Sequence, residues 1–182
     1  MSIALPSGLT AIEPGTFELC NSLTSIAIPD SITTIAEDAF VSCKALQSFT
    51  LSPNHPYFFL ADGALCRTVD NTLLFYPNAR ENRTYRIPDG IAAISAYAFY
   101  DCDLLESVVV PDSVTQLPAR AFSGCSALAS VSLPDSLTEI GTAAFSGCSA
   151  LTGIRIPAAI TEIINHTFSG CTSLATLEIP DS

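Results

Sequence analysis

One run of eight residues, AFSGCSAL, occurs at positions 121–128 and again, unchanged, at 144–151. A close variant, TFSGCTSL, follows at 167–174, so the spacing between copies is 23 residues. Cysteines keep the same spacing at positions 20, 43 and 66, and again at 102, 125, 148 and 171. A fixed period in the twenties is typical of a solenoid, in which similar units stack on one another. The sequence therefore predicts a solenoid of 23-residue repeats.

Each repeat has the same internal order of residue types. Aligned, the repeats read L-x-x-I-x-I-P-x-x-I-x-x-I-x-x-x-A-F-x-x-C-x-x. Val131 and Leu133 alternate with polar residues, which predicts a very short strand that the following proline ends, because proline has no N–H. Ile140 indicates a second, weaker extended segment. Phe122 and Cys125 stand three residues apart, which predicts about one helical turn facing the core.

The motif resembles a known kind of repeat. L-x-x-I-x-I resembles the strand of a leucine-rich repeat, and together with I-P-x-x-I-x-x-I and A-F-x-x-C-x-x-L it resembles the BspA-like leucine-rich repeat surface proteins. The resemblance covers essentially the whole chain. It implies an α/β fold, a leucine-rich repeat solenoid. In such a right-handed superhelix, parallel strands line the concave face and short helical turns the other.

The resemblance also carries an expected function. Members of this family are surface or secreted proteins of mucosal microbes, associated with adhesion and with binding of host proteins such as fibronectin. It brings no catalytic residues. We therefore expect a non-catalytic protein-binding module, on the cell surface or secreted, whose partner is a protein such as a host extracellular-matrix protein. The alternative from another class is a structural spacer that presents a different domain and has no ligand of its own.

One unit departs from the period. The distance from Leu51 to Ile87 is 36 residues, and the segment lacks the A-F-x-x-C run. Ala64–Arg67 and Thr72–Tyr76 predict two strands of a hairpin. We expect a single domain over residues 1–182, with about seven units and a long hairpin-containing unit at 52–87. Both termini fall inside a unit, so a fragment of a longer array is expected, with end-to-end association through uncapped ends.

Composition excludes two classes of partner. The net charge of −11 argues against nucleic acid, because binding to phosphates needs clustered Lys and Arg. No apolar run approaches the ~20 residues that span a bilayer, so membrane insertion is not expected. Apolar residues make up 48% of the chain and charged residues only 14%, which indicates an ordered, packed protein.

The repeated cysteines allow a catalytic and a structural interpretation. A nucleophile needs a base and a lowered thiol pKa, and no histidine recurs with the motif. Zinc sites need paired ligands, and here each repeat has one cysteine. The sequence therefore predicts free, buried thiols, with no cofactor and no metal. An aspartate follows the proline in several repeats; it can cap turns or, as the alternative, form a weak calcium ladder.

Two surfaces are candidates for binding. The outward positions of the strands are mostly small and hydroxylated, apart from Arg155 and Glu178. The long unit instead concentrates arginine and aromatic residues, the types enriched at protein interfaces. We favour the long unit, while some of its aromatic residues must fill the core. The candidate protein-binding residues are Arg67, Tyr76, Arg80, Arg83, Tyr85, Arg86 and Arg155.

Overall fold

The computed structural model describes residues 2–179, which form sixteen strands and no helix. Their bounds are β1 Ser2–Ala4, β2 Ala11–Ile12, β3 Ser25–Ala27, β4 Thr34–Ile35, β5 Ser48–Thr50, β6 Phe58–Ala61, β7 Ala64–Arg67, β8 Thr72–Phe75, β9 Thr84–Arg86, β10 Ala93–Ile94, β11 Ser107–Val109, β12 Gln116–Leu117, β13 Ser130–Ser132, β14 Glu139–Ile140, β15 Gly153–Arg155 and β16 Thr176–Glu178. The chain is a β-solenoid whose turns repeat about every 23 residues, as the sequence predicts.

One strand of three residues per turn forms a strand face. These strands pair in parallel and in register, as β1-β3-β5, β9-β11-β13 and β15-β16. Ser107 lies beside Ser130, and Val108 beside Val131, so each residue meets its counterpart in the next repeat. The central residue of each internal strand is buried, because it faces the core while its two neighbours face outward.

A second column of two-residue strands follows most of the proline corners. β2 pairs with β4 and β12 with β14, again in parallel. At the corner between the columns, a serine hydroxyl donates to a carbonyl of the preceding turn. Ser113 Oγ donates to Ile91 O at 2.6 Å, and Ser136 Oγ to Asp112 O at 2.7 Å. The recurring Pro-Asp-Ser therefore satisfies backbone acceptors between turns.

The predicted helical turns of the α/β fold are absent from residues 2–179; hydrogen-bonded turns take their place. Phe122 N–H donates to Ala144 O at 2.8 Å and Gly124 N–H to Ser146 O at 2.7 Å, so these donors serve the next repeat. A helix would need them for carbonyls four residues back in its own chain segment. Positive φ values at Arg120 (57°) and Gly124 (81°) also bracket this segment in the left-handed region.

Stacked phenylalanines form the centre of the core. The rings of Phe122 and Phe145 have centroids 5.5 Å apart and an interplanar angle of 3°. Phe99 extends this stack on one side, at 4.8 Å from Phe122, and Phe168 on the other, at 5.7 Å from Phe145. In-register stacking of identical turns produces this geometry, because each phenylalanine has the same place in its repeat.

The hairpin of the long unit interrupts the strand face. β6, β7 and β8 form an antiparallel meander that joins β10 in the sheet order β10-β8-β7-β6. The hairpin predicted from β7 and β8 is confirmed, and β6 is a third strand that the sequence analysis did not predict. Asp62 and Gly63, with φ of 43° and 80°, connect β6 to β7 in a two-residue turn.

This small sheet separates two hydrophobic clusters. Its residues face alternately, so Cys66 and Leu73 pack into the C-terminal cluster and Leu65 and Leu74 into the N-terminal one. β7 and β8 are therefore buried on both faces, which explains why they read as nearly continuous apolar runs.

Two consecutive aromatic residues connect the phenylalanine stacks across the hairpin. Phe75 lies edge-on to Phe40 at 5.1 Å in the N-terminal cluster. Tyr76 stacks on Phe99 at 5.4 Å in the C-terminal cluster. They take the place of the phenylalanine that the long unit lacks.

Truncating the stack should destabilise the whole solenoid. Phe122 is fully buried between two rings, so Phe122→Ala should lower the free energy of unfolding by about 3–5 kcal/mol. Urea denaturation followed by circular dichroism measures this loss. Val69→Ala is the control, because Val69 is 86% exposed and its truncation should cost less than about 0.5 kcal/mol. Equal effects of the two substitutions would contradict the stacked core.

Candidate functional site

The strand face has the small, hydroxylated surface that the sequence predicts. Its outward positions include exposed Thr50, Ser130 and Ser132. Such residues give a flat surface with few side chains able to anchor a partner. The exceptions lie at the end of the strands, where Arg86 of β9 and Arg155 of β15 occupy the same position of their repeats.

A groove lies between these two arginines. It is an open depression of about 540 Å³ along the edge where β9, β11, β13 and β15 end. Adjacent parallel strands lie about 4.8 Å apart, so the backbones of Arg86 and Arg155, three repeats apart, are separated by about 14 Å. The groove is lined by Arg86, Asp89, Val109, Val110, Pro111, Asp112, Ser113, Ser132, Leu133, Pro134, Asp135 and Arg155.

Sequence periodicity builds the groove from three rows. The last residue of each strand gives one row, in which Arg86 is in register with Val109 and Val109 with Ser132. The prolines after the strands give an apolar row, and the aspartates after the prolines give an acidic row along one wall. The groove is therefore amphipathic, with an apolar floor and charged rims.

Ion pairs hold both arginines against the acidic row. Arg86 Nη2 lies 3.4 Å from Asp89 Oδ1 within the same unit. Arg155 Nη1 lies 2.6 Å from Asp135 Oδ1 of the preceding unit, and the hydrogen bond to Asp135 raises the pKa of Arg155. All four side chains are more than half exposed, so solvent screens the pairs and a partner can compete for them.

The two tyrosines proposed for binding are core residues, which corrects the candidate surface. Tyr76 is 3% exposed and Tyr85 is 2% exposed, so their rings offer a partner almost no area. Their hydroxyls donate to Asn82 O at 3.2 Å and to Ala61 O at 2.8 Å. Burial raises the pKa of Tyr76 to about 12. Both rings fill space next to Phe99, where the long unit has no A-F-x-x-C run.

The remaining arginines of the long unit lie apart from the groove lining and are all ion-paired. Arg67 binds Asp70 at 2.6 Å across the hairpin loop, and Arg83 pairs with Glu106 of the next unit. Arg80 is mostly buried, pairs with Asp62 at 2.9 Å and lies over the ring of Tyr76 at 5.7 Å. Arg80 therefore braces the turn between β6 and β7, while Arg67 and Arg83 remain at the surface.

A further cation was missed by the sequence analysis. The Arg120 guanidinium lies over the Tyr97 ring at 5.8 Å, and its Nη1 is 3.3 Å from the Tyr97 hydroxyl. Tyr97 also meets Tyr100 edge-on at 5.7 Å. These residues lie on the turns opposite the strand face. The available signal was their spacing, because Tyr97 and Arg120 are one repeat apart.

The cysteines are free thiols and, apart from Cys66 in β7, they form a ladder along the turns. Cys125 Sγ donates to Phe99 O at 2.9 Å and Cys148 Sγ to Phe122 O at 3.1 Å, so each thiol bonds to the preceding repeat. Burial raises the pKa of Cys43 to about 11 and of Cys66 to about 12. A protonated, buried thiol is a poor nucleophile, which favours the structural interpretation of the motif.

Two other features bear on ligands and membranes. Among residues 2–179, no group of three or more His, Cys, Asp or Glu side chains has the arrangement of a metal site. The same part of the chain includes no helix with the length and apolar character of a membrane span.

The fold and its repeat motif define a class: a leucine-rich repeat solenoid. The family described as BspA type leucine rich repeat region matches residues 1–60 and 75–182 in six copies. The chain belongs to this family. The unmatched residues, 61–74, cover the last residue of β6, the turn after it, strand β7 and most of β8, so the hairpin is where this chain departs from the family repeat.

Solved structures of bacterial leucine-rich repeat proteins are similar to this one. A leucine rich cell surface protein from Faecalibacterium prausnitzii is 27% identical over 100% of this chain and 60% of its own, with a TM-score of 0.74. A leucine-rich repeat protein from Eubacterium ventriosum is 23% identical over 98% of this chain and 54% of its own (TM-score 0.81). The pneumococcal vaccine antigen PcpA is 19% identical over 97% and 56% (TM-score 0.78).

The chain thus spans 54–60% of the length of these three proteins. At 23% and 19% identity, the second and third likenesses bear on the fold alone. No curated protein matched the sequence.

The buried thiols make stability fall at high pH. The unfolded chain loses a thiol proton near the ordinary pKa of 9.0, whereas folded Cys43 holds its proton to about 11. The stabilisation is therefore complete below pH 9 and is lost as pH rises toward 11, by on the order of 1–3 kcal/mol. Urea midpoints at pH 8, 9 and 10 measure this slope. Cys43→Ala should reduce the slope by the contribution of that one thiol, because the other buried cysteines remain, and a midpoint independent of pH would contradict the burial of the thiols.

Arg80 should matter for stability and Arg86 should not. Arg80→Ala removes an ion pair in which the arginine is mostly buried and Asp62 is exposed, together with the contact with Tyr76, and should cost about 1–2 kcal/mol. Arg86→Ala removes one exposed pair and should cost less than about 0.5 kcal/mol. Thermal and urea unfolding of the two variants compare them directly. If Arg86→Ala proves the more destabilising, the structural role assigned to Arg80 is wrong.

Proposed function

We propose that this chain is a non-catalytic protein-binding and adhesion module of a bacterial surface protein, and that its partner contacts the groove between Arg86 and Arg155. The groove carries the proposal, because it joins arginines, the residue type enriched at interface hot spots, to an apolar floor. Host extracellular-matrix proteins are the first partner class to test. The adjoining strand face, proposed as the concave side of a right-handed superhelix, would extend the contact.

Family membership and the free thiols support a role without catalysis. The repeat fold is typically a scaffold for protein interactions, and a cell-surface protein from Faecalibacterium prausnitzii is among the similar structures. Thiols that recur at the repeat spacing bond to backbone carbonyls, and burial raises the pKa of Cys43, Cys66 and Cys148. We accordingly propose a location on the cell surface or outside the cell.

Binding to immobilised matrix proteins tests this function. The purified chain is passed over fibronectin, fibrinogen and laminin in biolayer interferometry, and saturable binding with a Kd below about 10 µM is the expected result. The double variant Arg86→Ala, Arg155→Ala should weaken it at least about tenfold, because both ends of the groove lose their anchors. Sedimentation velocity at the same concentrations checks that the binding species is not self-associated.

Two matched variants locate the surface. Arg67→Ala, Arg83→Ala removes two exposed, ion-paired arginines of the long unit, and Arg120→Ala removes the cation on the turns. Neither should change the affinity. Loss of binding in the first variant alone would move the site to the hairpin unit. Absence of saturable binding to the whole panel would contradict the matrix-binding proposal and favour the spacer.

A further inference from the structure

We propose that the groove binds an extended polypeptide segment carrying one lysine or arginine side chain, which pairs with Asp112. This inference rests on the proposed function and names the chemistry of the partner. It starts from an imbalance in the groove, whose rims carry three carboxylates and two guanidiniums.

Asp112 is the carboxylate left over. In the acidic row, Asp112 lies between Asp89, which is paired with Arg86, and Asp135, which is paired with Arg155. The carboxylate of Asp112 is exposed and forms no hydrogen bond or ion pair within residues 2–179; only its backbone carbonyl is used, by Ser136. A charge in this position is attracted to a cation of a partner more strongly than its two neutralised neighbours are.

The protein itself has no cation to spare for Asp112. Six of the seven Lys and Arg residues pair with other carboxylates, and Arg120 lies on Tyr97 at the opposite side of the turn. The pairs are Lys44–Asp103, Arg67–Asp70, Arg80–Asp62, Arg83–Glu106, Arg86–Asp89 and Arg155–Asp135. With a net charge of −11, the chain also steers basic groups toward its surface.

The dimensions of the groove fit an extended segment. The groove is about 14 Å long between the backbones of Arg86 and Arg155, which corresponds to about four to five residues of an extended segment at ~3.4 Å each. Val109 and Leu133, both partly exposed, form an apolar part of the floor that can contact small apolar side chains of the segment. Ser132, exposed in the middle of the strand row, adds a hydroxyl for the partner's backbone.

The arginines at the two ends add selectivity. A segment with basic side chains at several positions would meet Arg86 or Arg155 and be repelled, and an acidic segment would meet the row of aspartates. A divalent cation would find one free carboxylate, fewer oxygens than calcium requires. One basic side chain among neutral neighbours is therefore the occupant that best matches the charges.

Titration of the ¹⁵N-labelled chain with short peptides tests the inference. The probe is the amidated, acetylated pentapeptide Val-Thr-Lys-Thr-Val, compared with otherwise identical peptides that have Gln or Glu at the centre. The lysine peptide should shift the amide signals of the non-proline residues among 86–89, 109–113, 132–135 and 155 and bind about fivefold more tightly than the glutamine peptide. The glutamate peptide should bind more weakly than both.

A matched pair of variants isolates the carboxylate. Asp112→Asn should abolish the preference for lysine over glutamine. Asp30→Asn should leave it unchanged, because Asp30 follows the equivalent proline in the N-terminal half, outside the groove. Equal affinities of the lysine and glutamine peptides, shifts confined to another surface, or no shifts at about 5 mM peptide would each overturn the inference.

The two proposals fail in different ways. If matrix proteins bind and the affinity depends on Arg86 and Arg155 but not on Asp112, the groove is a binding site. The inference that a basic side chain of the partner pairs with Asp112 is then wrong. If the lysine peptide binds through Asp112 while no matrix protein binds, the groove selects basic segments but the matrix proteins are not its partners.

Discussion

The in-register stacking of identical turns is the constraint on which the rest of this structure depends. Because each phenylalanine meets the same residue of the next repeat, rings such as Phe122 and Phe145 stack at 5.5 Å and nearly parallel. The same register directs the Cys125 thiol to a carbonyl of the preceding turn and places Ser107 beside Ser130 on the strand face. Backbone N–H groups that a helix would use within its own segment donate instead to carbonyls of the neighbouring repeat, so the turns are not helical.

The hairpin solves the problem created by the irregular unit. An insertion into a solenoid would leave the cores of the flanking turns exposed, and here a sheet with two apolar faces covers both. Phe75 turns to one core and contacts Phe40, while Tyr76 turns to the other and contacts Phe99, so each core has an aromatic residue of the hairpin against its own phenylalanines. Tyr76 and Tyr85 of the long unit, a residue type enriched at interfaces, are therefore used for packing, and the proposed binding groove lies instead along the ends of β9, β11, β13 and β15.

Regular repetition also explains how a groove arises with no irregular loop. Prolines and aspartates recur at each corner, and variation at one position of the strands, from Arg86 through Val109 and Ser132 to Arg155, gives the groove distinct ends. In such a fold, surface positions can differ in residue type from repeat to repeat while the strands stay in register, and these differences distinguish one part of the surface from another. Asp112 differs from Asp89 and Asp135 only because no arginine of the chain reaches it.

The sequence by itself determined the solenoid, its 23-residue period, the strand face and the free thiols, because each depends on a pattern repeated in every turn. It also located the hairpin strands, through the 36-residue gap between Leu51 and Ile87. Only the tertiary structure decided that Tyr76 and Tyr85 are buried, since burial there depends on a sheet folding between two cores. Likewise, the partners of Arg86, Arg155 and Arg80 follow from side-chain reach across turns, which a linear pattern does not contain.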